Sequence, residues 1–218
     1  MRDDKIKRLT TLAMFSAIAF VVVALIRIPV VLFLKYEPKD VVITICGFIF
    51  GPLSAMLVSA VVSLVEMVTI SSEGIIGCIM NIISTCSFAC TASLIYKKVH
   101  SIKGAVVGLL CGVGVTVGVM LLWNYLITPI HMGLERQTVA AMLVPVFLPF
   151  NAIKGALNTA ITLLLYKPVV TALRRARLVE ESPLQAGGNK KASVGVVTLA
   201  AFLLITCVFF ILVLRGIL

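Results

Sequence analysis

Acidic residues, histidines and catalytic motifs are scarce in this chain. Asp and Glu together number only 9, there are 2 histidines, and charged residues make up 13% of the sequence. We find no Walker-type glycine-rich loop, no His/Glu spacing typical of zinc enzymes and no nucleophile elbow. A paired acidic cluster for metal-dependent phosphoryl transfer is also missing. These absences argue against an enzyme and favour binding or transport.

The cysteines are too dispersed to predict a disulfide framework or a metal site. They form no Cys-x-x-Cys pair and have no histidine nearby, and nearly all lie within apolar segments. We interpret them as small packing residues. The histidines, His100 and His131, fall at loop positions and are interpreted as surface residues. We therefore expect no metal and no cofactor.

Apolar residues dominate the composition and determine the class of protein. They make up 61% of the chain, and the mean hydropathy is +1.15. Such values are typical of polytopic membrane proteins. The net charge of +10 would suggest nucleic acid in a soluble protein, but here the basic residues gather in short connections between apolar segments. The sequence therefore predicts a multi-pass membrane protein, surrounded by lipid, with no nucleic-acid partner.

Seven apolar segments predict an all-α integral membrane protein. They cover about residues 9–28, 40–50, 53–70, 75–96, 104–128, 141–167 and 194–214. The first run is long and lacks a cleavage site, so we expect a retained helix and not a signal peptide. We predict a six-helix substrate-binding membrane domain over residues 1–178, a polar linker over 179–193 and an additional C-terminal transmembrane helix over 194–218.

The distribution of basic residues predicts the orientation. Thirteen of the 19 Lys and Arg residues fall at the N-terminus, between the fourth and fifth segments, and after the sixth. By the positive-inside rule these parts lie in the cytoplasm. The N-terminus is thus predicted to be cytoplasmic in a protein of the cell membrane, and the loop over 29–40 is predicted to lie outside.

One polar stripe stands out within the sixth segment. If this segment is helical, steps of about 100° place five residues on one face: Asn151, Lys154, Gly155, Asn158 and Thr162. An ionisable group at membrane depth costs about 2.5–3.5 kcal/mol on insertion scales, so it marks a functional site by default. We expect the stripe to face the protein interior.

Further polar or small residues interrupt the other segments. Glu66 lies near the outer end of the third segment, where it snorkels, pairs with a cation or belongs to a site. Asn81 and Asn124 are further candidates, although Trp123 and Tyr125 beside Asn124 fit a membrane-interface belt. Two GxxxG spacings in the fifth segment predict tight helix packing. Neutral hydrogen-bonding groups toward the outer side favour recognition of a neutral solute.

Three motifs together resemble the riboflavin-specific S component of energy-coupling factor (ECF) vitamin transporters. They are LKYEPKD-x-x-ITICGFIFGPLSA, WNYLITPI and PFNAIKGALN, and the resemblance covers about residues 8–175. It implies a six-helix protein that captures riboflavin from outside, under a loop between the first two helices. It also implies a transmembrane coupling (T) subunit and two ATP-binding subunits as partners, docked through small residues matched here by Ala13 and Ala17.

The resemblance also implies site residues. Asn151, Lys154 and Asn124 match its motifs most securely and would bond the isoalloxazine edge and the ribityl hydroxyls. Tyr36 would cover the ring. Glu37 and Asp40 of the same loop are further candidates, and the positions of the polar residues add Asn81 and Asn158.

Three other readings remain open. The first is an S component for FMN or another vitamin, with Lys35, Lys39 or Arg136 meeting the phosphate. The second is an ion-coupled secondary transporter of a small neutral solute, in which Glu66 and Lys154 form a proton-responsive pair; the chain lacks the symmetric broken helices of many such transporters. The third is an assembly subunit without a ligand, in which Asn151→Leu and Lys154→Met would be tolerated.

Overall fold

The structure, a computed structural model, describes residues 2–31, 34–176, 178 and 190–214. Its elements are α1 (Arg2–Leu25), β1 (Ile28–Val31), β2 (Leu34–Tyr36), α2 (Lys39–Phe50), α3 (Pro52–Thr69), α4 (Gly74–Lys98), α5 (Ile102–Leu126), α6 (Thr128–Met132), α7 (Arg136–Met142), a π-helical turn (Leu143–Phe147), α8 (Leu148–Arg175) and α9 (Lys190–Leu214). This architecture confirms the predicted all-α membrane fold.

Five helical stretches of the described chain are long and apolar enough to cross a membrane. They are Lys5–Leu25, Pro52–Thr69, Gly74–Lys98, Ile102–Met132 and Arg136–Arg175. Helix α2 has 12 residues and therefore a length of about 18 Å, well short of the roughly 30 Å hydrocarbon core. It is the short sixth member of the predicted bundle.

The C-terminal segment contains the predicted helix, with an earlier start. Helix α9 begins at Lys190, so residues 190–193 belong to it and not to the predicted linker. Residues 179–189 of that linker and residues 215–218 lie outside the described part of the chain. Helix α9 has 25 residues, about 38 Å at 1.5 Å per residue, and it contains the apolar stretch Ala200–Phe209. A spanning role for this helix stays a prediction.

Two loops contain more secondary structure than the sequence predicts. The outer loop over 29–40 includes an antiparallel hairpin, in which Ile28 of β1 lies opposite Tyr36 of β2. The loop over 129–140 contains α6 and most of α7. We refer to β1 and β2 together as the hairpin below. Short amphipathic segments of this kind carry little periodicity, so their pattern was insufficient to predict them.

The sixth predicted helix ends later than expected. It was predicted to end at 167, before Pro168, but α8 continues through Pro168 to Arg175. Val170 and Leu173 beyond the proline are buried, and Leu173 packs in a core with Phe15 and Ala19 of α1. Burial of these side chains offsets the hydrogen bond that the proline removes.

The turn between α2 and α3 follows the prediction. Gly51 has φ +91°, a conformation that favours glycine, and Pro52 occupies the first turn of α3. This turn returns the chain directly, so α2 and α3 pack side by side. Asp40 at the start of α2 is thereby brought toward α4, where it accepts a hydrogen bond from Thr85.

Close backbone packing joins α4 and α5 at one of the two predicted GxxxG pairs. A Cβ atom on Gly108 would lie 2.7 Å from the carbonyl oxygen of Ala92, and one on Gly112 would lie 2.9 Å from that of Phe88. At Gly114 and Gly118 no described atom lies within 4 Å. Tight packing was predicted for both pairs and is found at the first alone, because the second pair lies on an exposed face of α5.

An apolar cluster fixes the hairpin against α8 and α9. Val30 and Tyr36 of the hairpin pack with Phe150 and Leu157 of α8 and with Cys207 of α9. All five side chains are buried. The hairpin therefore lies over the N-terminal end of α8, next to the predicted polar stripe.

Candidate ligand-binding site

A cavity of about 230 Å³ lies between the hairpin, the N-terminal ends of α4 and α8 and the C-terminal end of α5. One water occupies about 30 Å³ of liquid volume, so this space suits an organic solute and not a single ion. Its walls combine amide and charged side chains with apolar ones. The apolar side chains include Leu34, Met80, Met120, Trp123, Ile127, Met132 and Phe150. Such a mixture is typical of small-molecule sites.

Five of the predicted site residues line this cavity: Glu37, Asn81, Asn124, Asn151 and Lys154. They come from the end of the hairpin and from α4, α5 and α8. The polar stripe of α8 faces inward as predicted, since Asn151 is 3% exposed and Thr162 is fully buried. The fold thus brings together residues that are more than 100 positions apart in the sequence.

The asparagines of α5 and α8 present N–H groups to the cavity. Asn124 Nδ2 donates to the carbonyl oxygen of Met120 at 2.7 Å, and its Oδ1 accepts from Thr128 at 2.9 Å. Asn151 Nδ2 donates to the carbonyl oxygen of Phe147 at 2.7 Å. Each amide nitrogen carries two hydrogens, so each asparagine keeps one N–H for a ligand, and Asn151 also keeps its carbonyl oxygen.

The opposite wall presents acceptors. Asn81 Nδ2 donates to Glu66 Oε2 at 3.0 Å, and because a carboxylate only accepts, this bond fixes which amide atom faces Glu66. The carbonyl oxygen of Asn81 is therefore free to accept from a ligand, and one N–H of its amide also remains. Glu37 and Glu73 add carboxylates to the lining, and Arg27 and Lys35 add cationic donors. The cavity thus has donors on α5 and α8, and both acceptors and donors on α4 and at the ends of the hairpin.

Asp40 holds Lys154 from behind the cavity. Its carboxylate is 1% exposed and lies 3.2 Å from Lys154 Nζ. It also accepts from Thr85 Oγ1 at 2.6 Å and from Asn158 Nδ2 at 3.2 Å. A buried ion pair is tolerated only when further hydrogen bonds satisfy the remaining lone pairs, as they do here. Lys154 is thereby fixed as a charged donor at the cavity wall.

Tyr36 closes the same network from the hairpin. Its hydroxyl donates to Asn158 Oδ1 at 3.0 Å. Burial, and then the nearby charge of Asp40, raise the pKa of Tyr36 well above its usual range, so the hydroxyl keeps the proton that it donates. Tyr36, Asp40 and Asn158 were predicted to touch the ligand. In the structure each of them bonds to protein groups, and none lines the cavity; direct contact with a ligand stays a prediction for these three residues.

Glu66 pairs with a cation, which is one of the three alternatives that its position in the sequence left open. It is fully buried and accepts from Lys39 Nζ at 2.7 Å. Lys39 also lies 3.0 Å from Glu37 Oε2. The proton-responsive pair of Glu66 with Lys154 is absent from the described contacts, since Lys154 instead pairs with Asp40.

Trp123 and Lys39 are functional candidates that sequence reasoning missed. Trp123 was assigned to an interface belt, but it lines the cavity. Met120, Asn124 and Ile127 share this lining, and their spacing of three to four residues is the helical stripe that could have revealed it. Lys39 was weighed only as a phosphate contact, because its partner Glu66 is distant in the sequence.

Comparisons with known proteins agree with this geometry. Residues 7–166 match the family model of the ECF transporter, substrate-specific component. The chain is 30% identical to the riboflavin transporter RibU of Staphylococcus aureus (strain TCH60), over 78% of this chain and 93% of that protein. It is 31% identical to the riboflavin transporter FmnP of Bacillus subtilis (strain 168), over 80% and 99% respectively.

A solved structure shows the same fold. It is described as the S component of a bacterial ECF transporter and superposes with a TM-score of 0.66 at 31% identity. The match covers 78% of this chain and 98% of that one. The family and its relatives are transporters and not enzymes. With its buried polar cavity at one end of a helical membrane bundle, this chain belongs to the substrate-specific components of ECF transporters.

Proposed function

We propose that the protein captures riboflavin from the outer side of the cell membrane and delivers it inward with ATP-driven partner subunits. The observation that carries this proposal is the arrangement of polar groups in the cavity. Asn124, Asn151 and Lys154 form one wall, which we call the donor wall. The carbonyl oxygen of Asn81 and the carboxylate of Glu37 belong to the other, which we call the acceptor wall. Both curated relatives are named riboflavin transporters, which supports the same ligand.

The donor wall complements the polar edge of the isoalloxazine ring. That edge carries two carbonyl oxygens on either side of one N–H. Lys154 and the N–H of Asn124 would donate to the carbonyls, and Asn151 could donate to one of them or accept from the ring N–H. Trp123 and Phe150 supply apolar surface for the faces of the ring.

The acceptor wall complements the ribityl chain. Its hydroxyls can donate to the carbonyl oxygen of Asn81 and to the carboxylate of Glu37. Tyr36, Asp40 and Asn158 act indirectly in this proposal, because their hydrogen bonds hold Lys154 and the hairpin in place.

Riboflavin fits the cavity better than its phosphate ester FMN. Lys39 is engaged by two carboxylates, and Arg136 lies over the ring of Tyr125 at 5.6 Å outside the cavity lining. Lys35 lines the cavity, but the carboxylates of Glu37 and Glu73 lie on the same walls and would repel a phosphate. Arg27 and Lys154 also line the cavity, but each is already paired with a carboxylate, Glu37 and Asp40 respectively, so their charges are balanced before a phosphate arrives.

A titration of the purified protein with riboflavin tests the proposal. We expect saturable quenching of flavin fluorescence at one ligand per chain, with a shift of the visible absorption bands as the ring leaves water. FMN should bind more weakly, and the difference should shrink at high salt as the carboxylates are screened. Linear, unsaturated quenching by riboflavin would show that the cavity serves another solute.

The proposal extends to orientation and partners. Membership of the family implies association with an ECF transmembrane (T) subunit and with ATP-binding subunits, and we place the N-terminus in the cytoplasm. On α1, Phe15 and Ala19 are buried in the bundle, whereas Ala13 and Ala17 are exposed. Small residues on an exposed face permit another helix to approach closely, so these two alanines are the proposed contact for the T subunit.

Enlarging the two alanines should separate binding from uptake. We expect Ala13→Leu/Ala17→Leu to leave riboflavin affinity within about twofold, since neither side chain is near the cavity. ATP-dependent uptake in vesicles with the partner subunits should fall at least about tenfold, because the leucines hold the helices apart. Ala201→Leu on the exposed face of α9 is the matched control. Normal uptake by the double variant would place the T-subunit contact elsewhere.

A further inference from the structure

We propose that Glu66 is a positioning residue that holds the hairpin closed over the cavity and aims the carbonyl oxygen of Asn81 at the ligand. This role deepens the proposed function and rests on it for the identity of the ligand. Glu66 lines no part of the cavity, so it would act entirely through its neighbours.

A continuous chain of ion pairs leads from the hairpin to Glu66. Arg27 Nε lies 3.1 Å from Glu37 Oε1, Glu37 Oε2 lies 3.0 Å from Lys39 Nζ, and Lys39 donates to Glu66 Oε1 at 2.7 Å. Arg27 also donates to the carbonyl oxygen of Ile70 at 3.1 Å, just beyond α3. We call Arg27, Glu37, Lys39 and Glu66 the latch.

The latch joins both ends of the hairpin to the helical bundle. Arg27 precedes β1 and Glu37 follows β2, whereas Lys39 begins α2 and Glu66 lies in α3. Leu34 and Lys35, between the two hairpin ends, line the cavity. Movement of the hairpin away from the bundle therefore has to separate Glu37 from Lys39, or Lys39 from Glu66.

Burial makes these contacts stronger than ordinary surface ion pairs. Lys39 is 1% exposed and Glu66 is fully buried, and the side chain of Glu37 is 12% exposed. Surface pairs contribute little because water and salt compete for both partners. In the latch the inner pair is shielded from both, so loss of either partner leaves a buried charge without compensation.

The same carboxylate also fixes the orientation of Asn81. Glu66 Oε2 accepts from Lys39 Nζ at 2.5 Å and from Asn81 Nδ2 at 3.0 Å, and Glu66 Oε1 accepts from Lys39 at 2.7 Å. A glutamine at position 66 would be neutral and would present an NH₂ group in place of one oxygen, so it could no longer offer Lys39 two acceptors and a negative charge. Closure of the hairpin and the acceptor role of Asn81 therefore depend on one side chain.

Riboflavin dissociation from single and double variants tests the latch. We expect Glu66→Gln and Lys39→Gln each to raise the dissociation rate about tenfold, the size expected for one lost charged hydrogen bond. Neither side chain lines the cavity, and both variants break the same contact between Lys39 and Glu66, so the double variant should release riboflavin no faster than about twice the faster single variant. Glu135→Gln, at an exposed glutamate of the outer loop, is the control. A wild-type rate in Glu66→Gln, or rate factors that multiply in the double variant, would overturn the proposal.

Hydrogen exchange without ligand separates this proposal from the proposed function. Amides of residues 28–38 should exchange faster in Glu66→Gln than in wild type, whether or not the protein binds riboflavin. The apolar double variant Lys39→Met/Glu66→Leu removes the buried charges together, which often restores stability. We expect it to unfold near the wild-type temperature while the hairpin still exchanges fast. If the hairpin amides of both variants exchanged at the wild-type rate, Glu66 would not hold the hairpin closed and the proposal would be overturned.

Discussion

Replacing Lys154 with methionine is expected to weaken riboflavin binding at least about tenfold. The ammonium group is the one charged donor that α8 contributes to the cavity. Its loss removes a charged hydrogen bond to the ligand, which is worth about 1.5–3 kcal/mol. A fluorescence titration of the purified variant measures the affinity, and calorimetry of the free protein measures its stability.

Stability and binding can be separated in this experiment. Lys154→Met leaves Asp40 buried with only Thr85 and Asn158 as donors, so the melting temperature should also fall. In Asp40→Leu/Lys154→Met the unpaired charge disappears, and we expect the melting temperature to recover in part while riboflavin binding stays weak. Arg136→Gln, which changes a cation outside the cavity, should bind riboflavin like wild type.

The affinity for riboflavin, and not the stability, decides between a ligand site and an assembly subunit as the role of the stripe. An assembly subunit without a ligand was expected to tolerate Asn151→Leu and Lys154→Met. With Asp40 paired to Lys154, Lys154→Met lowers stability in either case, so only the loss of binding supports a riboflavin site. Unchanged affinity in Lys154→Met would remove the lysine from the site.

The sequence could predict which faces are polar, but it could not predict how the polar groups pair. Helical periodicity placed Asn151 and Lys154 on one inward face, because that argument needs only the step of about 100° per residue. It could not show that Lys154 pairs with Asp40, since this contact joins two helices 114 positions apart and depends on the packing of α2 against α8. The hydrogen bond of Tyr36 could not be predicted for the same reason, because its partner Asn158 is on another element.

The hairpin and Trp123 show a second limit. An aromatic residue at a helix end fits both an interface belt and a cavity wall, and only the position of α4 and α8 around α5 distinguishes them. The hairpin spans too few residues for an alternating pattern to stand out from its flanking charges. Both features lie at the ligand site, where polar function and local sequence preference compete.

Packing of α4 on α5 leads to the second large effect, because these helices carry the facing walls of the site. Asn81 comes from α4 and Asn124 from α5, and between the helices Gly108 lets the backbones meet at Ala92. In a membrane, helices associate through close packing and not through the hydrophobic effect. A larger side chain at position 108 would therefore push the two helices apart, and no gain from the hydrophobic effect would offset the lost contacts.

We expect Gly108→Leu to lower the free energy of unfolding by about 3 kcal/mol or more, which is the upper range for overpacking. We also expect it to reduce riboflavin binding, because the leucine would push α4 and α5 apart and so separate Asn81 from Asn124. Gly118→Leu in the same helix is the matched control. Its Cβ meets no described atom within 4 Å, so its effect should stay within about 1 kcal/mol, and the better helix propensity of leucine favours the fold. Thermal unfolding and a riboflavin titration of both variants measure the difference. Equal destabilisation by the two leucines would mean that α5 packs through its whole glycine-rich length. Wild-type binding by Gly108→Leu would show that the contact of Gly108 with Ala92 does not set the distance between Asn81 and Asn124.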